Sequence, residues 1–217
     1  MNESIEKYWL KKLEHTKENL ISNNFNAFIA ENEIEASRIF FDEIMSELSP
    51  LSVSWGGSLT FKESGIYEKL MEHKNIKIID TYDKSFSKDE IMDLRRKALL
   101  CDLFITGTNA VTETGVLINL DMIGNRASAI TFGPKNVVIL VGRNKIVPDI
   151  DSGVKRIKNY AAPVNAMRLD KKTPCAKTSV CSDCSSPDRI CNVWAITEKS
   201  FPEKRISIIL INKDLGF

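Results

Sequence analysis

Val137-Val138-Ile139-Leu140-Val141-Gly142 is an apolar run flanked by Lys135-Asn136 on one side and Arg143-Asn144 on the other. It has no polar residue at alternate positions, so both faces of a strand built from it must be buried. The same kind of segment recurs at Asn26–Ala30, Leu51–Trp55, Ile76–Asp80, Leu103–Thr106 and Arg205–Asn212, with a further apolar run at Gly115–Leu120. Helical spacing of apolar residues fills the gaps at Ile34–Leu48, Gly65–His73, Ser87–Leu100 and Asp151–Ala161, where Asp89 and Glu90 suit the start of the third helix. Strands buried on both faces and separated by helix-length connections specify an α/β fold, a mainly parallel sheet with helices on both faces.

Outward from these elements, residues 2–22 carry Ile5, Tyr8, Trp9, Leu10, Leu13, Leu20 and Ile21 at helical spacing between Lys and Glu. This predicts an amphipathic helix on the outside of the core or on a partner. The organisation expected is a core over 1–170, a cysteine-rich extension over 171–195, and a strand within 196–217 that rejoins the sheet. Lys171-Lys172-Thr173-Pro174 is a short linker between the first two, and regular structure is expected to return only at Arg205.

The 217 residues are 43% hydrophobic and 27% charged, enough apolar material for a real core. A formal charge of +1 gives no sequence-wide footprint for nucleic acid or an anionic membrane. The N-terminal stretch lacks the apolar core of a signal peptide and no run approaches a bilayer span, so a cytoplasmic protein is expected.

Two turns follow expected strands, where ligands of open α/β sheets gather. In Gly56-Gly57-Ser58-Leu59-Thr60, bare backbone N–H groups can approach a small anionic ligand, with Ser58 or Thr60 adding a hydroxyl; alternatively, the glycines serve a tight turn with positive φ. In Gly107-Thr108-Asn109-Ala110-Val111-Thr112-Glu113-Thr114-Gly115, Glu113 is the only ionisable residue. It is a candidate nucleophile, general base or hydroxyl acceptor, or else it only hydrogen-bonds to its own turn. The anion expected at the first turn would lie near Glu113. The chain has neither G-x-G-x-x-G nor a P-loop, and His15 and His73 lie in Lys/Glu-rich helical contexts that suit solvated residues.

Cys175, Cys181, Cys184 and Cys191 crowd one polar segment with the spacing C-x5-C-x2-C-x6-C. Thiols among Lys, Thr, Ser and Asp are not core residues, whereas Cys101, after Leu99-Leu100, is. The four suit a metal site, with either an iron–sulfur cluster or zinc as cofactor; thiol–disulfide chemistry and inert thiols are the alternatives. Arg189 and Lys177 are expected to favour thiolate.

Three segments, Ser54–Ile66, Asp102–Asp121 and Asn125–Ile157, together with the ending Pro174–Asn192, resemble the LUD-domain family, the lactate-utilisation group. The resemblance covers about residues 10 to 213 and includes small cysteine-bearing members. It implies a fold similar to the NagB, ribose-phosphate isomerase and CoA-transferase group, and Thr112-Glu113-Thr114-Gly115 is loosely similar to the glutamate loop of CoA transferases. It also implies a component of L-lactate to pyruvate oxidation, working with iron–sulfur or oxidoreductase partner subunits; a homo-oligomer is a further expectation. Rival readings are a CoA- or sugar-phosphate-handling transferase or isomerase, and a non-enzymatic, metal-stabilised assembly subunit.

Overall fold

The computed structural model describes residues 3–217. Residues 1 and 2, with which the expected core segment and N-terminal helix begin, lie outside the described residues. Among the described residues there are ten strands, β1 (Asn26–Ala30), β2 (Ser52–Trp55), β3 (Lys77–Ile79), β4 (Leu103–Gly107), β5 (Ala110–Thr112), β6 (Leu117–Asp121), β7 (Asn136–Gly142), β8 (Ile146–Val147), β9 (Val193–Thr197) and β10 (Ile206–Ile211). Six form the main sheet in the order β1-β10-β7-β4-β2-β3. Every pair in it is parallel, as the doubly buried apolar runs require.

Alternation along each strand divides the core in two. Phe104, Val137, Ile139, Val141, Ile206 and Ile208 face one side and pack with Leu13 and Leu20 of the N-terminal helix Glu3–Ser22. Val53, Trp55, Ile105, Val138, Leu140 and Ile209 face the other and pack with Phe40, Ile44, Phe61 and Leu70 from the helical stretch 33–48 and the two short helices Leu59–Glu63 and Ile66–Met71. The amphipathic N-terminal helix therefore covers this chain's own sheet. No described helix is long and apolar enough to cross a membrane.

Two expectations need correction. The run Gly115–Leu120 does not join the parallel sheet; its strand, β6, pairs antiparallel with β5 and β9 in a second sheet of order β8-β5-β6-β9. Only residues 113–116 separate β5 from β6, too few for the crossover a parallel pair needs, so the segment closes as a hairpin with Thr112 N–H bonded to Val116 O. Regular structure also returns before Arg205: Pro174–Thr178 is a helical turn and Val193–Thr197 is β9, an edge strand. The cysteine-rich extension thus ends inside a strand of the second sheet.

Arg205 joins the last strand to the helix Asn125–Thr131. It is 8% exposed, and its guanidinium donates to Ile130 O at 2.7 Å, Ala129 O at 2.9 Å and twice to Pro134 O. The Ala129 and Ile130 carbonyls belong to the last turn of the helix, beyond the reach of its own N–H groups, and Pro134 O follows in the turn after it. Arg205→Met should therefore cost about 3 kcal/mol in urea unfolding, because buried acceptors lose charge-assisted bonds; a loss below about 0.5 kcal/mol, the usual size of an exposed substitution, would show that the cap is not needed.

Candidate functional site

All six parallel strands end on one side, and the turns leaving β2, β3, β4 and β7 enclose a cleft of about 390 Å³. Gly57, Ser58, Gly107, Thr108 and Asn109, all expected at a site, line it. Thr60 lies directly behind, fully buried, its hydroxyl donating to Leu215 O at 3.2 Å. Ser58 Oγ accepts from Phe61 N–H and caps the helix Leu59–Glu63, which holds the turn after β2 in place.

Gly56 and Gly107 are needed for space, and neither Gly56 nor Gly57 has positive φ. A Cβ on Gly56 would stand 2.6 Å from Arg126 Cγ, and one on Gly107 would stand 2.6 Å from Ser58 Oγ. Gly57 meets nothing within 4 Å and opens on the cleft. Tyr82 locks this turn from the next strand: its hydroxyl donates to Gly56 O at 2.7 Å and accepts from Ser58 N–H at 3.2 Å. Asp80 fixes Tyr82 in turn, taking bonds from Tyr82 N–H, Trp55 Nε1 and the Tyr67 hydroxyl. Burial pushes both phenols, Tyr67 and Tyr82, up to about 12.

The cleft is cationic. Lys62, Arg95, Arg126, Lys145 and Arg168 line it against one acidic side chain, Asp121. That carboxylate is already matched: Arg126 Nη2 lies 2.6 Å from Asp121 Oδ1, and Oδ2 accepts from Ala127 N–H. Arg126 also donates to Gly107 O, Asn109 Oδ1 and Leu120 O, so it braces the loops around the cleft. Lys62 stands over the Tyr82 ring at 4.3 Å, and Lys145, 5% exposed, donates to Thr60 Oγ1 at 2.8 Å. Burial, with Arg156 and Arg126 nearby, pulls the Lys145 amine down to about 7.

Glu113 and Gly115 are elsewhere. After Asn109 the chain turns into β5 and carries Glu113 to the N-terminal helix, where Lys12 Nζ pairs with its carboxylate at 2.8 Å and Asn19 Nδ2 donates to its carbonyl. Burial works against the Lys12 charge, but its bonds to Glu113 and Tyr8 leave the amine raised overall. The expected anion beside Glu113 therefore has no geometric basis, and Glu113 anchors a helix. Gly115, at φ +80°, lies where a Cβ would be 2.8 Å from the Asn19 and Leu20 backbone.

The four thiols do come together. Cys175, Cys181, Cys184 and Cys191 line one small pocket with Lys158, Pro163, Arg189 and Ile190. Arg189 knits the segment, donating to Cys184 O, to Cys191 O at 3.0 Å and to Asp183, which Lys158 also grips at 2.7 Å. Lys177 is exposed and lies outside this pocket; the second cation is Lys158, from the helical stretch 150–168. Arg189 and Lys158 pull the Cys191 thiol down, but burial outweighs them and leaves it raised, against the expected thiolate. All four are free thiols, and among the described residues no three His, Cys, Asp or Glu side chains stand close enough together to hold a metal ion. Cys101 is buried, with its thiol pushed up to about 12 by burial, while His15 and His73 are exposed.

The two sites share a wall. Ile190 lines both, and the helical stretch that gives Ala161 and Asn165 to the cleft gives Ala162 and Pro163 to the thiol pocket. Sequence reading missed the cations and Tyr82 because they come from separate elements. Lys145 had one usable signal, the Arg143-Asn144-Lys145 turn at the carboxyl end of β7.

A model of the LUD domain matches residues 13–211. Among solved structures the chain is similar to a DUF162 family protein from Deinococcus radiodurans, with a TM-score of 0.51 at 12% identity, over 94% of this chain and 98% of that one. At that identity the likeness speaks for the fold alone. No curated protein sequence matches.

Two variants separate structure from site. Gly115→Ala should lower the melting temperature by forcing the N-terminal helix off its seat while leaving the cleft intact; an unchanged melting temperature would contradict the packing described. Lys145→Met should stabilise the fold at pH 6 to 7. The folded amine, at about 7, lies below the ordinary 10.5, so between those values the unfolded chain holds the extra proton and wild-type stability rises with pH. The advantage of the variant should accordingly shrink from pH 7 towards pH 10, and a pH-independent difference would contradict the assignment.

Proposed function

The chain belongs to the LUD-domain family, and on that premise we propose that it binds a small organic-acid anion in the strand-end cleft as a component of organic-acid oxidation, L-lactate to pyruvate. At the level of the family it is a lactate-utilisation-type protein. The observation that carries the proposal is the cleft's side-chain charge: five basic side chains converge with one acidic side chain, Asp121, that Arg126 has already matched. An organic acid brings the missing negative charge to a concave site at the carboxyl ends of parallel strands.

The four thiols of the adjoining pocket are, in the same proposal, the ligands of an iron–sulfur cluster or zinc. Soft sulfur donors suit both, and Lys158 and Arg189 offset the negative charge that four thiolates carry. Metal binding itself draws the side chains together, as in small sites that order on their metal. A cluster held by Cys175, Cys181, Cys184 and Cys191 would supply one-electron redox chemistry beside the cleft.

The surplus of cations also suits phosphate, which favours a CoA- or sugar-phosphate-handling enzyme as the second reading. Thermal-shift titration with oxalate, pyruvate, L-lactate, CoA and ribose 5-phosphate separates the two. Carboxylates should stabilise the protein, and Gly57→Val, which adds bulk to the open cleft wall without a clash, should weaken them by about tenfold or more, the size of about 1.4 kcal/mol. Stabilisation by CoA or sugar phosphate alone would favour the second reading, and ligand effects untouched by Gly57→Val would remove the cleft. After anaerobic reconstitution with iron and sulfide, or with zinc, Cys181→Ser and Cys184→Ser should each lose most bound metal while the parallel sheet stays folded. Unchanged metal content in both would exclude these cysteines as ligands.

A further inference from the structure

Lys145 is a buried charge of the cleft, 5% exposed. Its amine donates to Thr60 Oγ1, whose own proton goes to Leu215 O, and among the described residues no bond or ion pair joins it to a carboxylate. A buried ammonium with a single partner is costly, and losing the proton relieves that cost. The groups facing it push the same way: Arg126 and Arg156 from two different helices disfavour the charge, and Glu63 opposes them weakly as the last contribution. Asp121 is held by Arg126, and Tyr82, at about 12, does not titrate near neutrality. Burial and the two guanidiniums therefore bring the amine, at about 7, to where it can gain or lose its proton around neutrality.

We infer that Lys145 is the proton-exchanging residue of this cleft: its amine takes one proton from solvent as a small organic anion enters and returns it as the anion leaves. This rests on the cleft being the organic-anion site proposed above. The anion supplies the countercharge that the fold withholds, which moves the amine towards its ordinary range. An ammonium with one N–H on Thr60 has two left for the ligand. Two donors suit two neighbouring oxygens, so the ligand class is a 2-oxo or 2-hydroxy acid. The guanidinium of Arg95, at the cleft wall, adds charge for the carboxylate.

The test is calorimetric titration of the whole protein with oxalate, which presents adjacent oxygens and keeps both charges from pH 6 to pH 9. Running it in two buffers of different ionisation enthalpy counts the protons taken up. Wild type should take up close to one proton per oxalate at pH 8 and almost none at pH 6, and should bind about tenfold more weakly at pH 8 than at pH 6. Lys145→Met should show no uptake and a flat affinity. Lys145→Arg, permanently charged, should bind without uptake at either pH. Oxalate binding by wild type with no uptake at pH 8, or equal uptake in Lys145→Met, would overturn the inference and leave the anion cleft standing. Absence of oxalate binding at every pH would overturn both.

Discussion

The structure depends on one placement: β10, the last strand of the chain, lies inside the sheet, hydrogen-bonded between β1 and β7 and buried along its whole length. Each Ile or Leu in it contributes about 1.5–3 kcal/mol by burial, so the strand is a large part of what holds the sheet shut. Because the chain must travel back to deliver it, everything between β7 and β10 is fastened at both ends. That span holds Lys145, the helical stretch that walls the cleft, all four clustered cysteines and β9. The cysteine segment is therefore closer to a strap across the domain than to an appendage, and Asn192 N–H bonded to Asp121 O ties it to the second sheet beside the cleft.

Parallel pairing has a second consequence. It brings the ends of β2, β4 and β7 to one edge, so a glycine turn, a Thr-Asn turn and a lysine from distant parts of the chain share one cavity. Backbone groups alone would make a weakly polar cleft; Arg126, braced on Asp121, Gly107 and Asn109, gives it a fixed positive wall. The price of that wall falls on Lys145, whose charge has no carboxylate partner among the described residues. The thiol pocket lies just across Ile190, so an order change in the cysteine strap must be felt in the cleft wall.

The parallel sheet was legible because unbroken apolar runs cannot be half-exposed strands. Direction was not: Gly115–Leu120 is as apolar as its neighbours, and only the shortness of the connection from Thr112 decides that it turns back. β9 was hidden for another reason, since Val193, Trp194 and Ile196 are partly exposed at a sheet edge and follow a turn-rich segment. In the site, glycines and small polar residues announced themselves locally after strands. Glu113 drew attention as the lone ionisable residue of its loop, yet its role comes from Lys12, 101 residues away. The basic residues escaped because each lies on a different element, among many lysines and arginines with ordinary surface roles. The cysteines were legible as a group, while the Lys158 that faces them was not.

Hydrogen exchange on the whole protein with and without oxalate tests the central claim, that the strand-end cleft is the anion site and that the cysteine strap forms its wall. The account predicts slower exchange in the turns at 56–60 and 107–109 and around Ile190, with the Glu113 hairpin unchanged. Protection centred on the Glu113 hairpin, or none in the three cleft segments despite bound oxalate, would contradict it.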